Sequence, residues 1–344
     1  MIPENATVLV RVPNWIGDAV MSTAAVEAIK SYRPDLKLVA LAKPWVLEVI
    51  RNNPSFSDVL SYSPRHFPGR IRDFYSIVKS IRKNAFDACI LMHNNFESAA
   101  MGYSAGIPVR IGWNHRRTNW FLSHNVDMAQ DLQVSHQVYH YLAIANFVTG
   151  HEVNGFKPVL YLTEEDRKTA ENWIQKLPGG GPVIPIAAGA AYGSAKCWPP
   201  EKFSQFVDSA INLWNARIVF LGGEKDKHIH SIIQSGLQEK IFSMVGEYSL
   251  SVQAAIIEKA GICIANDSGL IHVSAALNNV RTVAIFGPTV PAATKPFGTD
   301  HIVLHQKTDC WPCKHRKCPN GHVCMAAISA DDVLAAVDTI LNNR

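Results

Sequence analysis

The sequence lacks several features that would each indicate a common class of protein. Charged residues, glycine or proline interrupt every apolar stretch well before the ~20 residues that a membrane-spanning helix needs. No Gly-x-Gly-x-x-Gly occurs, so the dinucleotide-binding fingerprint is absent. No Asp-x-Asp occurs either, so the chain has no such carboxylate pair to hold a divalent cation at a strand end. The formal net charge of +4 is too small to indicate nucleic-acid binding.

The composition is that of an ordinary globular protein, with 47% hydrophobic and 18% charged residues. At 344 residues the chain is long enough for two domains, each with its own core. The first residues, MIPENATVLVRV, have no basic region before the apolar run and no small-residue cleavage site. They predict a first strand rather than a signal peptide, and we therefore expect a cytoplasmic protein.

Strand-like and helix-like segments alternate along both halves of the chain. Short apolar runs typical of buried strands occur at 8–12, 36–41, 58–60, 88–92 and 110–112, and again at 183–187, 217–221, 241–245, 262–265 and 282–286. This alternation predicts an α/β fold of two doubly wound, Rossmann-like parallel sheets that face each other across a cleft. A Gly- and Pro-rich segment at 177–182 predicts a first domain at 1–178, a second at 179–325, and a C-terminal helix within 326–344 that could return to the first domain.

One strand–helix–strand unit in the second half carries the strongest functional signal. The apolar run 262–265 ends at the polar turn Asn266-Asp267-Ser268-Gly269, and the apolar residues that follow recur at helical spacing. In open α/β sheets, ligands bind at the carboxyl ends of the strands. The N-terminus of a helix favours an anion there. The turn therefore predicts a site for an anionic ligand, with a nucleotide diphosphate as the expected example.

Asp18 begins the helix that follows the first predicted strand. A carboxylate at a helix N-terminus is stabilised as the anion, which makes it a weak base. Partial desolvation in a cleft would raise its pKa and suit it to proton abstraction. This segment alone favours the simpler interpretation, in which Asp18 only caps the helix.

Three segments together resemble a known enzyme family. PNWIGDAVMSTAAVEAIKSYRPD, AKCWPPEKF and NDSGLIHVSAAL occur in the order found in the ADP-heptose:lipopolysaccharide heptosyltransferases, glycosyltransferase family 9. The resemblance spans nearly the whole chain and is greatest to the members that add the second heptose of the inner core. It implies a glycosyltransferase B fold and an inverting transfer, without a metal or other cofactor, from ADP-heptose to a heptosyl-Kdo2-lipid A acceptor. It also implies an enzyme in peripheral contact with the inner face of the inner membrane.

The resemblance also implies roles for single residues. Asp18 matches the general base that takes the proton of the acceptor hydroxyl. Lys196 matches a basic residue on the donor diphosphate, where it would neutralise charge on the leaving group, and Glu224 matches a carboxylate on the donor ribose. The other implied donor-site residues are Asp267, Ser268, Gly269, Leu270 and His272. The residues by themselves leave simpler roles open. Lys196 could be a surface lysine and Glu224 a solvated loop charge. Asp267 could be only a helix cap, and His272 only a partly buried histidine.

Candidates for acceptor binding lie in the first half of the chain. The basic, aromatic stretches 65–72 and 115–120 could meet acceptor phosphates or anionic lipid headgroups, although solvated loops explain them equally well. Within the first stretch, the favoured residues are Arg65, Arg70 and Arg72. Asn94 and Asn95 follow the predicted strand 88–92 and could bind acceptor hydroxyls.

Four of the seven cysteines cluster in the last part of the chain: Cys310, Cys313, Cys318 and Cys324. Four cysteines at this spacing can bind zinc or iron tetrahedrally. The sequence therefore leaves two states of the cluster open: a structural metal site, or free or oxidised thiols. Disulfides are not expected in the cytoplasm. Some members of the family that the chain resembles lack such a segment, so we do not expect it to be essential for transfer.

Other functions remain open at this stage. Within the same family, the chain could add the first heptose or serve a later core transfer. A sugar-nucleotide epimerase of the same architecture would bind a nucleotide diphosphate but no lipid acceptor. A nucleic-acid-binding module built on the cysteine cluster is a third candidate, and the mild net charge argues against it.

Overall fold

The computed structural model describes residues 2–66, 69–130, 132–237 and 241–342. The chain divides into two compact units, one ending at Tyr161 and the other beginning at Leu162. Each unit is built on a six-stranded sheet, and the strand pairs within the two sheets are parallel. The predicted fold class, α/β with two doubly wound sheets, is confirmed.

The first unit alternates strands and helices along its whole length. Its strands are β1 (Thr7–Arg11), β2 (Lys37–Ala42), β3 (Phe56–Ser61), β4 (Ala88–Leu91), β5 (Val109–Trp113) and β6 (His124–Val126). Its helices are α1 (Ile16–Tyr32), α2 (Pro44–Ile50), α3 (Gly69–Lys83), α4 (Phe96–Ser104) and α5 (Gln137–Thr149). The central strands are apolar and buried on both faces, as the β1 pattern shows, because helices cover both sides of such a sheet.

The second unit repeats this alternation. Its strands are β7 (Val183–Ala187), β8 (Arg217–Phe220), β9 (Phe242–Ser243), β10 (Ile262–Asn266), β11 (Arg281–Phe286) and β12 (Ile302–His305). Its helices are α6 (Glu164–Gln175), α7 (Pro200–Trp214), α8 (Lys227–Ser235), α9 (Leu250–Ala260), α10 (Gly269–Ala275), α11 (Pro291–Thr294), α12 (Val323–Ala326) and α13 (Ala330–Asn342).

The strand order defines one functional edge in each sheet. The first sheet has the order β3-β2-β1-β4-β5-β6, and the second has the order β12-β11-β10-β7-β8-β9. Successive strands are therefore added outward in opposite directions from β1 and β4 in the first sheet, and from β10 and β7 in the second. These two places are the switch points of the sheets. Ligands bind beyond the carboxyl ends of the strands at such switch points, because the loops on the two sides diverge and leave a crevice.

The division between the units differs from the boundary expected at residue 178. Helix α6 packs against α9 of the second unit, and Arg167 forms an ion pair with Glu258 across that contact, with 2.7 Å between Nε and Oε2. The Gly-rich segment 177–182 is thus a turn inside the second unit. The last helix, α13, contacts α7, β11 and β12 of the same unit.

Two strands were not expected from the sequence, β6 and β12. Each is short and lies at an edge of its sheet, where most of its residues are at least partly exposed and the apolar run is too brief to stand out. No helix among the described residues combines the length and the apolar character that crossing a membrane requires.

Candidate active site

A pocket of about 330 Å³ lies at the switch point of the first sheet. The loops that follow β1 and β4 form one side of the pocket, and residues of helix α5 form another. Its lining residues are Pro13, Asn14, Trp15, Asp18, Met92, His93, Asn94, Asn95, Trp113, Met128, Gln137, His140 and Tyr141. The sequence placed Asp18, Asn94 and Asn95 near a ligand, and these three line one pocket.

Asp18 lies in the first turn of α1, but the N-cap position of that helix belongs to Trp15. The amide of Gln137 on α5 donates a hydrogen bond to Oδ1 of Asp18 over 2.7 Å. The same amide lies 3.2 Å from the hydroxyl oxygen of Tyr141. The carboxylate is therefore oriented by a neighbouring helix, which leaves it at the pocket wall instead of at the cap position.

Tyr141 completes this arrangement as a neutral group. Its side chain is buried, and burial together with the negative charge of Asp18 raises the pKa of Tyr141 well above its usual value near 10. The phenol therefore stays protonated at physiological pH and stands beside Asp18 as a hydroxyl.

The two asparagines differ in what holds them. Asn95 is the N-cap of α4, and its side-chain oxygen accepts a hydrogen bond from the backbone N–H of Ser98 over 3.3 Å. Asn94 is exposed at the pocket. Asn94 is thus the one whose amide is available to a ligand without breaking a helix cap.

The three arginines expected on the acceptor side do not line this pocket. Arg65 forms an ion pair with Asp73 at 2.7 Å, and Arg70 forms one with Glu97 at 2.9 Å. Arg72 is exposed on α3. Phe67 and Pro68, which belong to the same basic stretch, lie outside the described residues.

At the switch point of the second sheet, a lysine and an aspartate form a buried ion pair. Lys196 follows β7 and Asp267 follows β10, and the ammonium lies 2.5 Å from Oδ2 of the carboxylate. The side chains are 14% and 4% exposed. The hydroxyl of Thr289 donates a second bond to the same carboxylate oxygen, also at 2.5 Å. Charge and hydrogen-bonding groups from three loops therefore meet at the edge where a ligand is expected.

Asn266 fixes the loop that carries Lys196. Its side-chain amide donates to the backbone oxygen of Ala188 over 2.6 Å, and its side-chain oxygen accepts from the backbone N–H of Trp198 over 3.1 Å. Because Asn266 is fully buried at the end of β10, these bonds tie the loop to the sheet. The position of Lys196 thus depends on a residue that the sequence did not single out.

The remaining predicted donor residues surround the start of α10. Ser268 is the N-cap, and Gly269 and Leu270 open the helix, so it is Ser268 and not Asp267 that occupies the cap position. All three are partly exposed, whereas His272 is buried. Glu224 lies apart from these residues in sequence, 73% exposed, and forms an ion pair with Lys227 at 2.9 Å.

The segment that holds the cysteine cluster packs beside the Lys196 loop. The backbone oxygen of Arg316 accepts from Ala195 N–H over 3.1 Å, and that of Lys314 accepts from the Tyr192 hydroxyl over 2.9 Å. Lys196 and Arg316 both lie over the ring of Tyr192, at 5.1 and 5.2 Å from its centroid. The segment is therefore part of the wall of this site.

The thiols themselves do not converge into a ligand set. All four are free, and the thiol of Cys318 accepts a hydrogen bond from the backbone N–H of His322 over 3.3 Å. In the described part of the chain, no group of three or more His, Cys, Asp or Glu side chains is arranged to hold a metal ion. A structural zinc or iron at Cys310, Cys313, Cys318 and Cys324 stays a prediction that this arrangement does not support.

Comparison with known proteins gives a consistent result. Residues 74–324 match the family model described as glycosyltransferase family 9 (heptosyltransferase). Lipooligosaccharide heptosyltransferase 2 of Haemophilus ducreyi is 28% identical, over 86% of this chain and 88% of that one. Lipopolysaccharide heptosyltransferase 2 of Escherichia coli K12 is 25% identical, over 97% and 98%.

The solved structure of E. coli ADP-heptose LPS heptosyltransferase II has the same fold. It superposes with a TM-score of 0.83 at 24% identity, covering 98% of this chain and 99% of that chain. The predicted fold, of the glycosyltransferase B class, is thereby confirmed.

Proposed function

Because the chain belongs to glycosyltransferase family 9, the heptosyltransferases, we propose that it transfers heptose from ADP-heptose to the lipopolysaccharide inner core, as the second heptose. Membership makes the chain a glycosyltransferase. The heptosyltransferase 2 relatives support the donor and the acceptor. The observation that carries the proposal is the buried pair of Lys196 and Asp267 at the switch point of the second sheet.

In the proposed donor site, the diphosphate of ADP-heptose takes the place of Asp267 beside the Lys196 ammonium. A buried cation that already faces a carboxylate is pre-positioned for a second anion. Asp267, which keeps the bond from Thr289, then accepts hydrogen bonds from sugar hydroxyls. Ser268 and the first N–H groups of α10 bind phosphate oxygens, and Glu224 approaches the ribose when it leaves Lys227.

In the proposed reaction, Asp18 is the general base. The acceptor oxygen attacks the anomeric carbon, its proton moves to the Asp18 carboxylate, and ADP leaves with the electrons of the broken bond. The configuration at that carbon inverts. Gln137 holds the carboxylate toward the pocket, and Asn94 offers its amide to an acceptor hydroxyl.

The transfer is proposed to need no divalent cation. The charge that develops on the leaving diphosphate would be met by Lys196 and by the N–H groups of α10. The sequence supplies no Asp-x-Asp pair for a donor-bound metal.

We also propose that the enzyme works at the cytoplasmic face of the inner membrane. Ile71 and Tyr75 on α3 and Trp120 are exposed, and basic residues flank them in sequence. Basic and apolar side chains together favour an anionic lipid surface. Sedimentation with vesicles that contain anionic lipid should carry the protein down, and the same yield with purely zwitterionic vesicles would contradict this contact.

The decisive experiment is a product assay by mass spectrometry in EDTA. ADP-heptose is offered with Kdo2-lipid A, either bare or already carrying one heptose. Addition of one heptose only to the pre-heptosylated acceptor is the expected result. Addition to the bare acceptor would make the chain a first-heptose enzyme, and activity that returns only with Mg²⁺ would contradict metal independence.

A further inference from the structure

Two buried cations lie at the carboxyl edge of the first sheet without a carboxylate of their own. Arg11 ends β1 and is 3% exposed, and Lys43 follows β2 and is 9% exposed. Because β1 and β2 are neighbours, both residues reach the same edge. No ion pair of the described residues includes either of them. A buried charge without a counter-ion is costly, so an arrangement of this kind needs an explanation.

The contacts of Arg11 hold its guanidinium in place without neutralising it. One terminal nitrogen donates to the backbone oxygens of Val12 and Leu41, at 2.6 and 3.1 Å, and the other donates to Oδ1 of Asn14 at 2.8 Å. Its Nε is buried and has no hydrogen-bond partner. These acceptors are all uncharged, so the positive charge of Arg11 is not compensated locally.

The side chain of Lys43 makes fewer polar contacts than that of Arg11. Its ammonium lies 4.5 Å from the centroid of the Tyr62 ring, and no described residue accepts a hydrogen bond from it. The ring face attracts a cation but cannot take its protons. The ammonium thus keeps three hydrogen-bond donors for a group that is not part of the chain.

The nearest carboxylate is already engaged. Glu97 accepts hydrogen bonds from Arg70, over 2.9 Å, and from the Tyr62 hydroxyl, over 2.9 Å. Arg11, Lys43 and Arg70 therefore share one negative charge. Burial, with the charges of Arg11 and Arg70, lowers the pKa of Lys43 to about 8 despite Glu97. The pKa of His93 falls to about 3, mainly through burial, with the Arg11 charge and then the Lys43 charge adding to the effect.

We propose that Arg11 and Lys43 form a subsite for an oxyanion, a carboxylate or phosphate group that the acceptor sugar carries. Asn14, which accepts from Arg11, lines the pocket that contains Asp18, and so does His93. An oxyanion there completes the ion pairing of both cations. It also fixes the acceptor relative to Asp18, and this part of the assignment rests on the proposed function.

Inorganic phosphate serves as the probe in the first test, with the full chain and saturating ADP so that the second unit is occupied. Thermal unfolding is followed against phosphate concentration for wild type, Lys43→Met and Lys37→Met. Lys37 is the matched control, because it lies exposed at the start of β2. We expect phosphate to bind Lys43→Met about tenfold or more weakly, the loss of a hydrogen bond to a charged group. Lys37→Met should match wild type.

The same measurement separates the subsite from a structural role. Without phosphate, Lys43→Met should unfold at a temperature equal to or above that of wild type, because the variant removes an uncompensated buried charge. Lys43→Arg keeps the charge and should keep the phosphate response. An equal phosphate response in wild type and Lys43→Met would overturn the proposal, and so would loss of the response in Lys37→Met.

A kinetic arm identifies the source of the oxyanion. In the transfer assay, Lys43→Met should raise KM for the acceptor about tenfold, the factor that loss of one hydrogen bond to a charged group predicts. KM for ADP-heptose should stay within about twofold of the wild-type value. Phosphate should compete with the acceptor in wild type. An unchanged acceptor KM would assign the subsite to free phosphate and overturn the acceptor assignment. A chain without any transfer activity would refute the proposed function, while the phosphate titration would still decide the subsite.

Discussion

At the scale of single residues, the two candidate centres differ in how a charge is held. Asp18 receives a hydrogen bond from the uncharged amide of Gln137, which orients the carboxylate. Lys196 and Asp267 instead neutralise each other at 2.5 Å, and in the proposed donor site a diphosphate takes the place of the carboxylate. The first arrangement suits a base, and the second suits a site that exchanges one anion for another.

Replacement of Asp18 by Asn should abolish most of the turnover. The amide is nearly isosteric but cannot take a proton, so kcat should fall by about 10²–10⁴, the usual contribution of a general base. ADP affinity, measured by calorimetry, should not change. Asp58→Asn, an exposed carboxylate on β3, is the control and should be fully active. Normal turnover of the Asp18 variant would remove this residue from the mechanism.

Replacement of Lys196 by Met should weaken ADP binding about tenfold to a hundredfold, the cost of a lost hydrogen bond between charged groups. It should also lower the melting temperature, because Asp267 is 4% exposed and would be left as a buried charge without its partner. Lys225→Met, which alters an exposed lysine near Glu224, should change neither quantity. A variant that binds ADP as wild type does would exclude Lys196 from the donor site.

At the scale of elements, the cysteine-rich segment supports the loop that carries Lys196. Trp311 donates its indole N–H to the backbone oxygen of Thr289 over 2.9 Å, and Thr289 in turn bonds Asp267. Arg316 accepts from Ala195 through its backbone. The segment thus touches the loop that carries Lys196 and the loop whose Thr289 bonds Asp267, which gives it a structural role independent of any metal.

Tyr192 offers a graded test of this contact. Tyr192→Phe removes only the hydrogen bond to Lys314, and the ADP dissociation constant should rise by less than about fivefold, as for one neutral hydrogen bond. Tyr192→Ala also removes the ring under Lys196 and Arg316, and the constant should rise by about tenfold or more, since two cation–π contacts are lost as well. Calorimetric titration with ADP gives both values. Identical affinities in the two variants would show that the ring does not support the site.

At the scale of the whole molecule, the two units repeat one plan. Each has a parallel sheet with a switch point between its first and fourth strands, and each places polar side chains at that edge. The charged groups there are partly desolvated, so the stability of the protein should depend on pH through residues of the site itself.

His93 provides the pH prediction. Its pKa falls from 6.5 to about 3 on folding, mainly through burial. Between these values the unfolded chain binds a proton that the folded chain does not, so the free energy of unfolding decreases as the pH falls through this window. In His93→Gln this loss is absent, and the acid-unfolding midpoint, followed by circular dichroism, should move to lower pH. His228→Gln, at an exposed position, should unfold as wild type does, and an unmoved midpoint in His93→Gln would contradict the assignment.

The sequence by itself determined the fold class and the positions of two loops of the candidate site, those at Asp18 and Asp267. Strand and helix periods are local, so apolar runs such as Val183–Ala187 were recognised with their bounds, and the turns at Asp18 and Asp267 follow directly from them. The contacts that orient the side chains are long-range and leave no local pattern. Gln137 meets Asp18 from 119 residues away, and the pairing of Arg70 with Glu97 depends on how α3 and α4 pack. Only the tertiary structure decided these, because hydrogen bonds and ion pairs depend on distance in space and not on spacing along the chain.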